Sequence, residues 1–189
     1  TSFSSLPIQT KTENLIPKPY ILDVGTAYPH KNLEWIIDTF LQWREKRHRK
    51  EIFVLVGDHD NFYLRLIGRF KAVQEVIHFI GSVADEKLIG LYQNAAVYIA
   101  PSLYEGFGLP AVEALEFGLP VLASDRTAQP EILGASALYF EPTDANDFSD
   151  KLSRILDDTL LRSKLIDQAK KRIQVFDWGV LAGKTKKLY

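Results

Sequence analysis

The chain has 189 residues, of which 46% are hydrophobic and 25% are charged, and its formal net charge is −1. This is the profile of one folded globular domain, and it excludes the strong basic field that non-specific nucleic-acid binding requires. The absence of cysteine excludes disulfides and thiolate metal sites. The apolar runs are too short to span a bilayer, and residues 1–5 do not resemble a signal peptide. We therefore expect a cytoplasmic protein that binds no nucleic acid.

Residues 1–19 are polar and contain three prolines, which is typical of a linker or an N-terminal arm. From residue 20 onward, short apolar runs alternate with segments whose apolar residues recur at helical spacing. The predicted strands cover residues 20–24, 52–56, 76–80, 96–100, 120–123 and 137–140. The predicted helices cover residues 32–47, 62–73, 86–94, 110–117, 147–156, 159–173 and 178–188.

Alternating strands and helices predict an α/β fold for residues 20–189: a doubly wound, parallel, six-stranded Rossmann-like sheet with helices on both faces. Ligands of such sheets bind outside the carboxyl ends of the strands, at the point where the strand order reverses. The loops that follow the strands are therefore the candidate binding segments. They cover residues 25–31, 57–61, 81–85 and 101–110.

The loop and helix over residues 101–118 carry the strongest chemical signal. A buried strand ends there, and Gly106 and Gly108 let the backbone approach a ligand just before a helix begins. The free amides and the positive dipole end of that helix predict an anion site. Glu105 lies in the loop and Glu113 one turn into the helix, and carboxylates are good acceptors for paired sugar or ribose hydroxyls.

The eight-residue spacing of Glu105 and Glu113 resembles the E-x7-E pattern of the family 4 (group 1) retaining glycosyltransferases. The resemblance extends through the segments PSLYEGFGLPAVEAL, GLPVLASD and VGTAYPHKNL and covers about residues 20–189. It implies the C-terminal, donor-binding half of a GT-B fold.

The resemblance also implies roles for individual residues. Glu113 would bind the ribose hydroxyls, and Glu105 the hydroxyls of the sugar near its reacting carbon. Lys31 would neutralise the departing diphosphate, so that Glu105 and Lys31 are the implied catalytic residues. Amides of residues 107–109 would hold the sugar and diphosphate, and Ile80 would line the base. The implied nucleotide-sugar site comprises Gly25, Thr26, Lys31, Gly57, Ile80, Glu105, Gly106, Phe107, Gly108, Leu109 and Glu113.

The same resemblance implies a retaining transfer, with front-face departure of the diphosphate and without a metal or another cofactor. The donor would be GDP-mannose or a UDP-hexose. The acceptor would be a glycan or a lipid-linked sugar, held by an N-terminal domain that this chain lacks. The full-length protein would then associate peripherally with the inner face of the membrane, and a last helix over residues 177–189 would cross to the other domain. The chain by itself is expected to be inactive.

Thr26 departs from the family, which often has arginine at this position, so that the first loop supplies one cation instead of two. Asp58-His59-Asp60 has the D-x-D spacing of metal-dependent glycosyltransferases, but the sheet pattern favours a helix-capping role for Asp60. Three alternatives stay open. They are a stand-alone nucleotide-sugar-binding module, another GT-B relative such as an epimerase or a trehalose-phosphate synthase, and a flavodoxin-like domain.

Overall fold

The computed structural model describes residues 16–17 and 19–176, and this part of the chain forms one parallel sheet covered by helices. The strands are β1 (Tyr20–Val24), β2 (Ile52–Val56), β3 (Ile77–Ile80), β4 (Val97–Ala100), β5 (Val121–Ser124) and β6 (Ala137–Phe140). The helices are α1 (Leu33–Lys46), α2 (Asn61–Arg69), α3 (Asp85–Asn94), α4 (Leu109–Glu116), α5 (Gln129–Leu133), α6 (Ala145–Asp157) and α7 (Thr159–Ile173).

The strand order is β3-β2-β1-β4-β5-β6, and all five neighbouring pairs are parallel. β1 and β4 therefore lie side by side at the centre, with Ile21 opposite Val97. From β1 the chain builds the sheet outward on one side, and from β4 it builds outward on the other. The predicted doubly wound sheet is confirmed, and its order reverses between β1 and β4.

Alternation along the strands divides the core into two layers, because successive side chains point to opposite faces of a sheet. One layer contains Ile21 and Phe53 and packs against α1, α2 and α6. The other contains Leu22 and Val54 and packs against α3, α4 and α5. Helix α7 contributes one buried residue to each layer, so it closes the edge between them.

The predicted strands agree with the observed ones to within one residue, whereas one predicted helix is shorter in the structure and one observed helix was not predicted. The expected helix over residues 62–73 ends at Arg69 and continues as a separate 3-10 turn, Lys71–Val73. Helix α5 was not predicted, because its five residues are too few to show a helical period. The prediction for residues 177–189 lies outside the described residues, as does most of the predicted arm over residues 1–19.

Candidate functional site

A cleft opens at the carboxyl edge of the sheet, between the loops that follow β1 and β4. These loops leave neighbouring strands toward opposite sides of the sheet, so the space between them is open to a ligand. The cleft is lined by Asp23, Val24, Gly25, Thr26, Lys31, Tyr98, Ala100, Ser102, Glu105, Phe107, Gly108, Pro110, Ala111, Gln129 and Leu133. Among the predicted site residues, the lining includes Gly25, Thr26, Lys31, Glu105, Phe107 and Gly108.

The side chains of Lys31 and Glu105 meet in this cleft. Nζ of Lys31 lies 2.5 Å from Oε1 of Glu105, and the same oxygen accepts a 2.8 Å hydrogen bond from the Ser102 hydroxyl. The side chains of Lys31 and Glu105 are 21% and 16% exposed, so the ion pair is shielded on most sides yet reachable from the cleft. A ligand here meets a fixed cation and a fixed carboxylate next to each other.

The backbone brings the two loops together. The amide of Leu103 donates to the carbonyl of His30 over 2.7 Å, which joins the loop after β4 to the loop after β1. Asn32, in the left-handed conformation with φ +59°, turns the chain from the 3-10 turn Pro29–Lys31 into α1. Its side chain donates to the carbonyl of Pro142 at 3.0 Å. Hydrogen bonds of the residues before and after Lys31 thus fix the position of Lys31.

A third segment, from the end of β5 to the start of α5, supports the loop that carries Glu105. The Thr127 hydroxyl accepts from the amide of Glu105 at 2.9 Å and donates to its carbonyl at 3.2 Å. The Ser124 hydroxyl donates to the carbonyl of Ser102 at 2.6 Å and accepts from the Gln129 amide at 3.1 Å. Sequence reasoning missed Thr127, Ser124 and Gln129, since nothing in their local pattern shows that they reach another loop.

The start of α4 faces the cleft with free amides. Gly108, with φ +81°, is the N-cap and offers no side chain to the helix. Its carbonyl accepts from the amide of Ala111 at 3.0 Å, whereas no hydrogen bond is formed by the amides of Phe107, Gly108 and Leu109 within residues 16–17 and 19–176. Pro110, in the first turn as predicted, has no N–H. Exposed amides at a helix start attract an anion.

Asp23 brings a carboxyl group that sequence reasoning missed, because it lies inside an otherwise apolar strand. The residue is only 6% exposed and lines the cleft. Burial raises the pKa of the Asp23 carboxyl from 3.8 to about 7; nearby Lys31 lowers it and Glu105 raises it. Near neutral pH the Asp23 carboxyl is therefore present in both its protonated and its ionised form, next to the ion pair of Lys31 and Glu105.

Glu113 lies in the second turn of α4 and is half-buried, outside the lining of the cleft. Its Oε2 accepts a 2.9 Å hydrogen bond from the hydroxyl of Tyr92, on α3. Burial raises the pKa of the Glu113 carboxyl, and the hydrogen bond from Tyr92 opposes that shift. The two carboxylates of the E-x7-E pattern therefore face different surroundings.

Gly57 and Ile80 lie at the same edge of the sheet, at the ends of β2 and β3, and are not part of the cleft lining. The amide of Gly57 donates to the carbonyl of Ile80 at 3.1 Å. A β-carbon on Gly57 would lie 1.9 Å from the carbonyl oxygen of Gly25, so the backbones of the first two loops touch here. Only glycine permits that approach.

Asp60 caps helix α2, as predicted: its carboxylate accepts from the amides of Phe62 at 3.0 Å and Tyr63 at 2.9 Å. Asp58, the other carboxylate of the D-x-D spacing, accepts a hydrogen bond from the Ser82 hydroxyl. Across the part of the chain that the structure describes, no group of three or more His, Cys, Asp or Glu side chains is arranged to hold a metal ion. None of the described helices is long and apolar enough to cross a membrane.

The fold and the cleft define an α/β domain of the doubly wound class, with a cation, carboxylates and free helix-start amides at its switch point. A family model described as "Glycosyl transferases group 1" matches residues 8–172. The chain belongs to this family of glycosyltransferases.

Known relatives and solved structures agree with this assignment. The chain is 32% identical over 176 residues to the O-antigen chain mannosyltransferase B of Escherichia coli, covering 92% of this chain and 46% of the relative. It is 36% identical over 121 residues to the MMP alpha-(1->4)-mannosyltransferase of Mycolicibacterium hassiacum, covering 62% and 29%. Sucrose-phosphate synthase from Thermosynechococcus elongatus superposes with a TM-score of 0.79 and 28% identity, over 90% of this chain and 44% of that structure. The chain thus spans less than half the length of these proteins, and its sheet matches one half of a GT-B fold.

Proposed function

We propose that the chain is the donor-binding domain of a retaining glycosyltransferase that transfers a hexose from a nucleoside-diphosphate sugar. The observation that carries this proposal is the shielded pair of Lys31 and Glu105 beside the free amides of α4. A nucleoside-diphosphate sugar combines an anionic diphosphate with two sets of neutral hydroxyls. The cleft and its surroundings offer a complementary group for each of these parts.

The diphosphate would bind between Lys31 and the start of α4. The ammonium of Lys31 supplies a full positive charge, and the amides of residues 107–109 supply donors together with the positive end of the helix dipole. This set would stabilise the negative charge that develops on the leaving diphosphate as the glycosidic bond breaks. Thr26 lines the same cleft and supplies a hydroxyl without a charge, so Lys31 is the cation of this loop.

The sugar would lie against Glu105. Lys31 and Ser102 both bind Oε1 of Glu105, and Oε2 has no hydrogen bond among the described residues, so it is free to accept from sugar hydroxyls. Glu113 would accept hydrogen bonds from the ribose hydroxyls. The base would lie along the ends of β2 and β3, at Gly57 and Ile80. This order would place the nucleotide along the carboxyl edge of the sheet.

The resemblance of the loop to retaining enzymes supports net retention at the reacting carbon, by departure and attack on one face of the sugar. Metal independence is supported by the chemistry of the cleft, where a lysine and helix amides provide the positive charge that a divalent cation would otherwise supply. Both features are properties of the proposed reaction.

The relatives support mannose as the transferred sugar and a surface polysaccharide as the product. Two of them are named as mannosyltransferases, and one of these is an O-antigen chain enzyme. We therefore take GDP-mannose as the first donor to test, ahead of UDP-hexoses. The acceptor, a glycan or a lipid-linked sugar, would be bound by the part of the protein that lies beyond this domain, in the cytoplasm at the inner face of the membrane.

Calorimetric titration tests the proposal directly. The chain is titrated with GDP, UDP and ADP and with the matching sugar nucleotides, first with a chelator and then with magnesium. We expect one nucleotide to bind without metal, and Glu113→Ala to weaken it. Asp167→Ala, which removes an exposed carboxylate on α7 that pairs with Lys170, is the matched control. Absence of binding by every nucleotide, or binding that requires magnesium, contradicts the proposal.

A further inference from the structure

The hydroxyl of Tyr92 makes an unusual contact for a buried tyrosine. The hydroxyls of Tyr20, Tyr98 and Tyr139 donate to backbone carbonyls, those of Leu91, Val24 and Gly134. Tyr92 is 1% exposed, and its Oη lies 2.9 Å from Oε2 of Glu113, a side-chain carboxylate on a different helix. A backbone carbonyl is also within reach, since the carbonyl oxygen of Pro110 lies 3.3 Å away.

The Tyr92 hydroxyl has one proton for these two acceptors, and the shorter distance assigns that proton to the carboxylate of Glu113. Burial raises the pKa of the Tyr92 hydroxyl far above its ordinary value, so this group stays protonated and acts as a donor. A hydrogen bond to a charged acceptor is also stronger than one to a neutral carbonyl. Tyr92 therefore holds one oxygen of Glu113 and leaves the other oxygen without a hydrogen bond among residues 16–17 and 19–176.

The ring of Tyr92 cannot easily turn away from this position. It stacks on Phe117 with a centroid distance of 5.4 Å and an angle of 16° between the planes. On another side it contacts the ring of Tyr98 at 6.0 Å. These contacts fix the direction of the hydroxyl before any ligand arrives, and pre-organised groups bind with a smaller loss of entropy.

We propose that Tyr92 is the positioning residue for Glu113, holding its carboxylate in the rotamer that receives the ribose hydroxyls of the nucleotide. This inference rests on the proposed donor site, and it adds a residue from α3 that does not itself contact the nucleotide. The role differs from ordinary core packing because it depends on the hydroxyl and not on the ring.

The same hydrogen bond favours the ionised form of Glu113. Burial raises the pKa of Glu113, as do the negative charges of Glu116 on α4 and Asp85 on α3, whereas the Tyr92 hydroxyl lowers it. Without that hydroxyl, every remaining influence from these groups raises the pKa of Glu113. The carboxylate would then take up a proton at a higher pH, and it would lose one of its acceptor positions for the ribose.

The test is a double-mutant cycle on nucleotide binding. Dissociation constants for GDP and UDP are measured with the wild-type chain, Tyr92→Phe, Glu113→Ala and the double variant, over a range of pH. Tyr92→Phe is expected to weaken binding about tenfold, which corresponds to about 1.4 kcal/mol for one hydrogen bond to a carboxylate. It should also move the acidic fall of affinity to higher pH. Tyr20→Phe is the matched control, since it removes a buried hydroxyl that donates to the α3 backbone.

The outcomes separate the two proposals. If Tyr92→Phe adds almost nothing in the Glu113→Ala background and Tyr20→Phe changes nothing, the hydroxyl acts through Glu113. If Glu113→Ala weakens binding but Tyr92→Phe behaves like Tyr20→Phe, the donor site stands and the positioning role is overturned. Equal losses from Tyr92→Phe with and without Glu113 overturn it as well. If Glu113→Ala has no effect, the ribose role of Glu113 fails, and the inference about Tyr92 fails with it.

Discussion

Lys31 is the residue whose charge the proposed site depends on most directly. Lys31→Ala removes the cation and leaves Glu105 unpaired beside the place of the diphosphate. We expect the affinity for the bound nucleoside diphosphate to fall about tenfold or more, because a charge-assisted hydrogen bond is lost and a repulsion is added. Calorimetric titration measures this loss.

Two comparisons make the result specific to the phosphates. The matching nucleoside, which carries no phosphate, should bind Lys31→Ala and the wild type equally well. Lys170→Ala removes a lysine that pairs with Asp167 on the exposed side of α7, and it should bind the diphosphate like the wild type. Equal weakening of nucleoside and diphosphate would instead mean that Lys31 supports the shape of the loop.

Asp23 makes the stability of the fold depend on pH. The pKa of its carboxyl is about 7 in the folded chain against an ordinary value of 3.8, so between these values the folded state keeps a proton that the unfolded state has lost. The stabilisation is complete below the lower pKa and is lost as the pH rises through about 7. We expect the melting temperature of the wild type to fall by about 5 °C between about pH 5 and about pH 8 relative to Asp23→Asn.

The asparagine variant is informative because it has the shape of the protonated acid and does not titrate. Melting curves of both proteins at matched ionic strength measure the difference. Asp167→Asn is the control, since this exposed carboxylate should leave the wild-type pH dependence unchanged. Parallel curves for the wild type and Asp23→Asn would show that the Asp23 carboxyl is ionised at low pH in the folded chain.

Among the elements, the contact between the ends of β1 and β2 sets the shape of the edge that carries the site. The β-carbon of Gly57→Ala would lie 1.9 Å from the carbonyl oxygen of Gly25, and neither backbone can retreat without breaking the parallel pairing of the two strands. We expect a loss of about 3 kcal/mol or more in the free energy of unfolding, measured by chemical denaturation. Gly106→Ala is the control, because a β-carbon there has no atom within 4 Å. A loss of stability in Gly106→Ala equal to that in Gly57→Ala would contradict the steric explanation.

The strands were predictable from sequence because each one is an apolar run bounded by glycine, proline or polar residues. β2 is buried along its whole length, and such strands show in sequence as continuous runs of Ile, Val, Leu and Phe. Helix α4 was predicted from Pro110 at its start and Gly118 after its end, and Gly118 does adopt a positive φ of +65°. Helix α5 also has a proline at its start and Gly134, with φ +55°, after its end, but its five residues are too few to show a helical period.

From residue patterns alone, the candidate site was visible in the sequence only where a single segment carries it. Glu105 and Glu113 share one loop and helix, so their spacing was visible in the chain, and the resemblance paired them with Lys31. Tyr92 and Thr127 act through hydrogen bonds to residues 21 and 22 positions away. Such contacts follow from how the strands and helices pack, and no local pattern in the sequence encodes them.

The chain spans 46% of the Escherichia coli O-antigen mannosyltransferase and 44% of the sucrose-phosphate synthase structure. We propose that the acceptor site lies in a part of the protein beyond this domain, and that sugar transfer requires both parts. We expect the chain alone to bind the donor nucleotide and to transfer no sugar, whereas a protein that joins this domain to an acceptor domain transfers it with retention.

A radiolabelled donor assay with an isolated lipid-linked glycan acceptor measures transfer, and NMR of the product reports the anomeric configuration. Glu105→Gln in the two-domain protein is the control, which should keep nucleotide binding and lose most of the transfer. Transfer by the isolated chain would show that this domain binds the acceptor itself, and an inverted product would refute the proposed retaining chemistry.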